Sequence, residues 1–254
     1  MTAGCFIKHY ETPARVTAAV RHHAWIAEHA SPLRQPAVTA VGSTSVTFER
    51  VEGRPARPED LPLLAELLGD AHGAAWTSDL RSAPLTAPHH FQDGTTLDGY
   101  LGPRQAALQR RLEQGYLPDE FALHGMLTLL EKTAEGPTSF YKDSNPRNFL
   151  ITETGAVYTV DTDDLTLAPL AYDLAKLIVT LIATYGPLSE GAVDEALATY
   201  NRAAACHDVR LGATGRERLD DFVALHAVLT APYAGLNGYQ HGWLPGIHRP
   251  RGSA

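Results

Sequence analysis

Tyr141-Lys142-Asp143-Ser144-Asn145-Pro146-Arg147-Asn148-Phe149-Leu150-Ile151, followed after a short return by Val160-Asp161-Thr162-Asp163-Asp164, is the stretch on which the reading of this chain turns. Phe140-Tyr141 and Phe149 to Ile151 have the character of short strands, Thr154-Gly155 is a hairpin turn signal, and Val157 to Val160 reads as the returning strand. The turn brings Asp161 back toward Asn148, with Asp143 at the head of the same loop. Phosphoryl transfer to a hydroxyl asks little more of a protein than this set. It needs a carboxylate that orients the hydroxyl and takes its proton, and oxygen ligands that hold magnesium on the phosphates. Asp, Ser and Asn also populate turns for purely local reasons. The strand, the turn and Asp161 together favour the chemical reading over an Asx-turn loop.

The rest of the chain fits a globular enzyme. It has 254 residues, 44% hydrophobic and 20% charged, so neither disorder nor a fibrous repeat is indicated and one compact enzyme is the default. Lys and Arg number 21 against 29 Asp and Glu, for a net charge of -8, and no window gathers the bases into a stripe, which argues against a nucleic-acid partner. Cys5 and Cys206 lie in no metal or redox spacing, and two reduced thiols are expected. The histidine pairs His22-His23 and His89-His90 are adjacent and no HExxH occurs, so surface or loop positions are expected for them. No apolar run is long enough to span a bilayer and Met1 opens on a polar stretch, which reads as a cytoplasmic, soluble protein with no membrane partner.

Working outward, Cys5 to Tyr10 reads as a strand, Ala14 to Ala30 as a helix, and Ala37 to Val41 with Ser45 to Phe48 as a hairpin about Gly42-Ser43. Glu49 to Pro55 is a connector, and a lobe boundary falls near residue 53, ahead of a helix from Leu61 to His72. Trp76 to Gly99 has no clear period and reads as a loop or insertion. Pro103 to Gln114 and Asp119 to Glu131 are helical, and the apolar content of the second predicts a helix running through the core. Tyr172 to Tyr185, Glu190 to Cys206 and Arg216 to Leu229 read as three helices, and Pro232 to Ala254 as an irregular tail.

Three segments carry a family resemblance. Tyr141 to Ile151 resembles the catalytic loop of aminoglycoside and choline-type phosphotransferases, H-G-D-x-x-x-x-N-x-[LIV]. Val160-Asp161-Thr162-Asp163-Asp164 resembles their I-D-W-[DE], and Pro169-Leu170-Ala171-Tyr172-Asp173-Leu174-Ala175 their P-x-x-Y-D-L-A, in the right order and spacing. The resemblance implies an α+β, protein-kinase-like fold with a reduced first lobe over residues 1–53, on the nucleotide side. A mostly helical second lobe over 54–254 would hold the catalytic loop and the acceptor. It implies Asp143 as catalytic base, Asn148 and Asp161 as magnesium ligands, Asp163 as a supporting carboxylate, and Asp173 as a scaffold residue that braces the loops and caps a helix. Lys8 resembles the lysine that contacts the nucleotide phosphates, Glu28 its ion-pair partner, and Glu49 to Val51 the hinge that takes the adenine edge.

The sequence departs from that pattern at Tyr141-Lys142, where His-Gly is usual, and at Thr162, where an aromatic is usual. Lys142 either neutralises the transferred phosphoryl or points into solvent. Only seven residues precede Lys8, where the family has two further strands joined by a Gly-rich loop; the expectation is a truncated start, a kinase that holds nucleotide without that lid, or a chain that is no longer a kinase. The expected reaction is magnesium-assisted transfer of the γ-phosphoryl of ATP or GTP to a small-molecule hydroxyl, by a monomer or homodimer. An antibiotic leads as acceptor, aminoglycoside-like or a cationic peptide, which makes resistance the biological role. A metabolic amino-sugar or alcohol kinase is the alternative within the class, and a pseudokinase-type binding module without turnover the alternative outside it. Asp79, Asp93, Asp98, Asp119 and Glu120 lie where the family builds its acceptor site and are candidate partners for ammonium groups.

Overall fold

The computed structural model describes residues 4–236 and 238–241. The chain opens with a three-stranded antiparallel sheet in the order β1-β3-β2, formed by β1 (Cys5–His9), β2 (Val38–Val41) and β3 (Ser45–Glu49). Lys8 lies opposite Val46 in this register. Between β1 and β2 runs α1 (Pro13–His29). Thr12 accepts the N–H of Arg15 at its start, and Pro13 occupies the first turn, where its missing N–H costs nothing.

The presumed connector is partly ordered. β4 (Arg54–Pro55) crosses to pair with Leu150 and Ile151, and α2 (Leu61–Ala75) follows. The segment expected to be loop is also more structured. A π turn over Trp76–Leu80 continues α2, and β5 (His89–His90) pairs with β6 (Thr96–Leu97). Then come α3 (Leu101–Glu113), α4 (Glu120–Thr133), β7 (Thr138–Tyr141), β8 (Phe149–Ile151), β9 (Val157–Thr159), β10 (Thr166–Pro169), α5 (Tyr172–Tyr185), α6 (Glu190–Ala205) and α7 (Arg216–Thr230). β8 pairs with β9 through the turn at Gly155, whose φ of +79° suits glycine. β10 was not legible in the sequence. It pairs antiparallel with β7, setting Thr166 opposite Tyr141.

The core sits among the helices. α5 is buried on nearly every face, and its Leu174, Leu177 and Ile178 join Leu64 and Leu68 of α2, Tyr200 of α6, and Phe222 and Leu225 of α7 in one cluster. Each such side chain contributes roughly 1.5–3 kcal/mol when fully buried. The expectation that α4 runs through the core is corrected: only Leu123, Leu130 and Thr133 are buried there, and Phe121 is 86% exposed. Its apolar residues spread around the helix, yet only one side has neighbours, because α5 already fills the centre. A second cluster joins Trp25 and Ile26 of α1 to Leu80, Leu97, Phe140, Leu165 and Leu167, and seats α1 against the catalytic strands.

Candidate active site

The catalytic loop begins where β7 ends. Asp143 and Asp161 both have φ of 60°, and Ala171 has φ of 66°; these are the non-glycine left-handed residues among those described. Two of the three are the carboxylates singled out by the sequence. Asp tolerates this region better than most residues, yet a non-glycine residue held there carries strain of about 1–3 kcal/mol that its surroundings must offset.

The loop is held from three sides. Asp173, in the first turn of α5, accepts the backbone N–H groups of Ser144 at 2.8 Å and Lys142 at 3.2 Å. Its scaffold role is thus present, while the expected cap is not: the α5 cap is Ala171, with no side-chain bond. Asn148 donates Nδ2 to the carbonyl of Asp143 at 2.9 Å, and Asn145 accepts the N–H of Arg147. Finally, Val160 N–H and the Thr159 hydroxyl both reach the carbonyl of Asn148, at 3.0 and 3.3 Å, so the returning strand sets Asp161 beside Asn148.

Asp143 lies half-exposed in the wall of a cavity of about 590 Å3. Its Oδ1 accepts the Tyr141 hydroxyl at 2.7 Å and lies 3.2 Å from Lys176 Nζ, which leaves Oδ2 for an acceptor hydroxyl. Burial acts to raise its pKa, but the Lys176 charge and the bonds from Tyr141 and Lys176 outweigh it and hold the carboxyl down at about 2. Tyr141, standing where the family pattern has His, supplies a hydrogen bond directly to the Asp143 carboxylate. Lys142 does neither of the things expected of it. It is buried, its Nζ has no hydrogen-bond partner among the described residues and lies 4.1 Å from the centre of the Phe149 ring, and burial lowers its pKa. Buried Asp173 lies close enough to act on it electrostatically.

A second cavity, about 610 Å3, lies under the first sheet and shares Asp161 with the first. Phe6, Phe48, Leu150 and Val160 give it apolar walls, Glu49 and Val51 also line it, and Lys8, Asp161 and Asp163 make one end polar. Lys8 bridges Asp161 and Asp163. Burial acts against its charge, but the hydrogen bonds and charges of the two carboxylates raise its pKa above the ordinary lysine value. The expected Lys8–Glu28 pair is corrected: the Glu28 carboxylate is 77% exposed and lies 3.9 Å from His29 instead. The phase of α1 explains this. Its inward face carries His22, Trp25 and Ile26, with His22 bonded to the carbonyl of Asp163 and His23 lining the cavity, so Glu28 points away. Asp164 is exposed and pairs with Arg15 at 2.7 Å.

No group of three or more His, Cys, Asp and Glu side chains is placed to hold a metal among the described residues. Magnesium does not require one, since one or two carboxylates complete its shell with phosphate oxygens and waters. Asn148 and Asp161 fit that donor set: the amide nitrogen of Asn148 is engaged with Asp143, which leaves Oδ1 to ligate, and both residues line the first cavity. Three of the five acids considered as ammonium partners are used elsewhere. Asp79 accepts the Trp25 indole N–H at 2.9 Å, Asp93 accepts from Thr95, Asp119 caps α4, and none of the five lines the Asp143 cavity.

Sequence reasoning missed Lys176, Arg104 and Arg111, which line that cavity. Lys176 was findable. It stands three residues after Asp173 on α5, a spacing that puts both on one helix face, toward the loop.

The family model described as "Phosphotransferase enzyme family" matches residues 7–222. Among solved structures, an aminoglycoside-3'-phosphotransferase of type VIII superposes with a TM-score of 0.55 at 19% identity, covering 89% of this chain and 84% of that one. Choline kinase LicA from Streptococcus pneumoniae gives 0.61 at 10% identity, with 97% and 82% covered. An amicoumacin kinase, hAmiN, in complex with AMP-PNP, Ca2+ and Ami gives 0.55 at 13% identity, with 89% and 72% covered. No curated protein matches the sequence. These likenesses establish a protein-kinase-like α+β fold, and with the family model matching most of this chain, over residues 7–222, the chain belongs to the phosphotransferase enzyme family.

Proposed function

We propose that the chain transfers the γ-phosphoryl of ATP or GTP to the hydroxyl of a small molecule, with the nucleotide in the cavity under the first sheet and the acceptor in the cavity walled by Asp143. The observation that carries this reading is the position of Asp161, shared by the two cavities, with Asn148 beside it and Asp143 across the acceptor side. Residues 1–53 then form the nucleotide side and 54–254 the acceptor side.

In this reading Asp143 Oδ2 orients the acceptor hydroxyl and receives its proton as the new O–P bond forms and the bond from Pγ to the bridging oxygen of the nucleotide breaks. Asn148 Oδ1 and the Asp161 carboxylate hold magnesium, which supplies charge neutralisation on the phosphates. Lys8 steadies the phosphates, and Glu49 to Val51 present backbone groups to the base. Lys176 keeps Asp143 ionised, so the base is ready at any ordinary pH. A nucleotide-dependent reaction supports a cytoplasmic reading. Among the described residues, no helix is long and apolar enough to cross a membrane.

The test is a thermal-shift titration with ATP and with GTP, with and without magnesium, followed by an assay of nucleotide consumption. A magnesium-dependent shift that survives Asp143→Ala, together with loss of phosphorylation in that variant, supports the reading. No shift with either nucleotide overturns it, and unchanged turnover in Asp143→Ala removes Asp143 from the role of base.

A further inference from the structure

The acceptor cavity has an unusual charge balance for a site meant to receive a cation. Its three carboxylates, Asp143, Asp161 and Asp164, already face Lys176, Lys8 and Arg15 respectively. None is spare for an ammonium group. Two of its cations are in the opposite position. Arg104 and Arg111 of α3 are 5% and 9% exposed, and neither has a carboxylate partner among the described residues.

The groups these arginines bond to or stack on are neutral. Arg104 donates to the carbonyl of Tyr100 at 2.9 Å and to Thr166 Oγ1 at 3.0 Å, and its guanidinium lies 4.5, 5.0 and 4.7 Å from the ring centres of Tyr100, Tyr141 and Tyr172. Arg111 donates to the carbonyl of Leu229 at 2.8 and 3.1 Å and to Gln114 at 3.0 Å. Burial lowers its pKa. Carbonyls and rings orient a guanidinium and lessen its desolvation cost, but they do not cancel its charge. The two residues are seven apart, two turns of one helix, and Ala107 between them also lines the cavity, so α3 presents one basic face with a small residue at its middle. Planar forks held rigid at a cavity wall match carboxylate and phosphate oxygens.

We propose that the acceptor is a hydroxylated anion, whose carboxylate or phosphate group is held by Arg104 and Arg111 while its hydroxyl meets Asp143. This deepens the kinase reading and rests on it for the role of Asp143. It replaces the cationic antibiotic expected from the sequence with an acceptor of opposite charge.

The test titrates the full chain with gluconate, glucose 6-phosphate and glucosamine, following melting temperature and binding heat, with AMP-PNP and magnesium present so that anions do not simply occupy the nucleotide site. Stabilisation by gluconate or glucose 6-phosphate, and none by glucosamine, is expected; whichever anion binds identifies carboxylate or phosphate as the group read. Arg111→Gln should weaken that binding about tenfold or more. Arg104 is packed among three tyrosines and its replacement can cost stability, so Ala107→Glu is the second variant. It places a carboxylate between the two arginines on a half-buried position, and should abolish anion binding while leaving the AMP-PNP shift intact. Binding of glucosamine in preference to both anions, no response to either anion at millimolar concentration, or anion binding that survives both variants would each overturn the proposal. Failure of AMP-PNP to bind instead strikes the kinase reading, and the anion titration is then read without it.

Discussion

Lys176 Nζ lies 3.2 Å from Asp143 Oδ1, so a buried helix, not the catalytic loop, supplies the counter-charge of the proposed base. The carboxyl is held at about 2, below its ordinary value near 4, although burial acts in the other direction. A carboxylate needed in its ionised form is lost only as pH falls through its folded pKa. In the wild type, protonation of Asp143 therefore does not limit activity at ordinary pH. Lys176→Met removes the opposing charge and leaves the burial, so the acid limb of the kcat/KM profile should move to higher pH. An unchanged acid limb would show that Lys176 does not tune Asp143.

Asp161 sits in both cavities and is engaged by Lys8. Asp161→Asn removes a charged ligand and frees Lys8 to pair with Asp163 alone. The ATP-induced thermal shift should lose most of its magnesium dependence, with apparent metal affinity falling by at least about 10–100-fold. A magnesium titration of the nucleotide shift measures this directly; equal affinity in wild type and variant would exclude Asp161 as a ligand.

Asp173 accepts two backbone N–H groups of the catalytic loop. Asn has only one carbonyl oxygen and turns an N–H group toward the other donor, so Asp173→Asn leaves a buried group unmatched and removes the charge nearest Lys142. Destabilisation of about 1–3 kcal/mol is expected. It should come with a fall in kcat greater than any change in nucleotide binding, because the loop carries Asp143 and Asn148. Chemical denaturation and steady-state kinetics test the two parts separately.

Glu28 faces solvent, away from Lys8. Glu28→Ala should change stability by no more than about 0.5 kcal/mol and leave the nucleotide shift unaltered. A large loss of nucleotide binding would restore the Lys8–Glu28 pair as the working arrangement.

Gly69 of α2 lies against α6 so closely that a Cβ there would be 2.4 Å from the carbonyl oxygen of Tyr200. That atom belongs to helix backbone and cannot step aside cheaply. Gly69→Ala should lower stability by about 1–3 kcal/mol through overpacking, against the usual helix preference for alanine. The Tyr200 hydroxyl also accepts the N–H of Ala171 at 2.8 Å, just ahead of Asp173, so a shift of α6 should be felt in activity as well as in melting temperature.

Local chemistry was enough to read the hairpin, the helices and the loop from Tyr141 to Asp161, because turn residues, caps and apolar spacing act over a few neighbours. The same locality let Asp143, Asn148 and Asp161 be named, since strand, turn and return strand bring them together within twenty residues of chain. What the sequence left undecided depended on the rotational phase and packing of distant elements. The phase of α1 turned Glu28 outward and left Asp161 and Asp163 as the partners of Lys8, 153 residues from Asp161 in sequence. The docking of α5 put Lys176 on Asp143 and occupied the centre that α4 was expected to fill. The face that α3 turns to the cavity, with Arg104 and Arg111 buried and unmatched by acid among the described residues, is what the proposal of an anionic acceptor rests on. Charge at a site is a sum over elements that meet only in the folded chain, and no periodicity within one element records it.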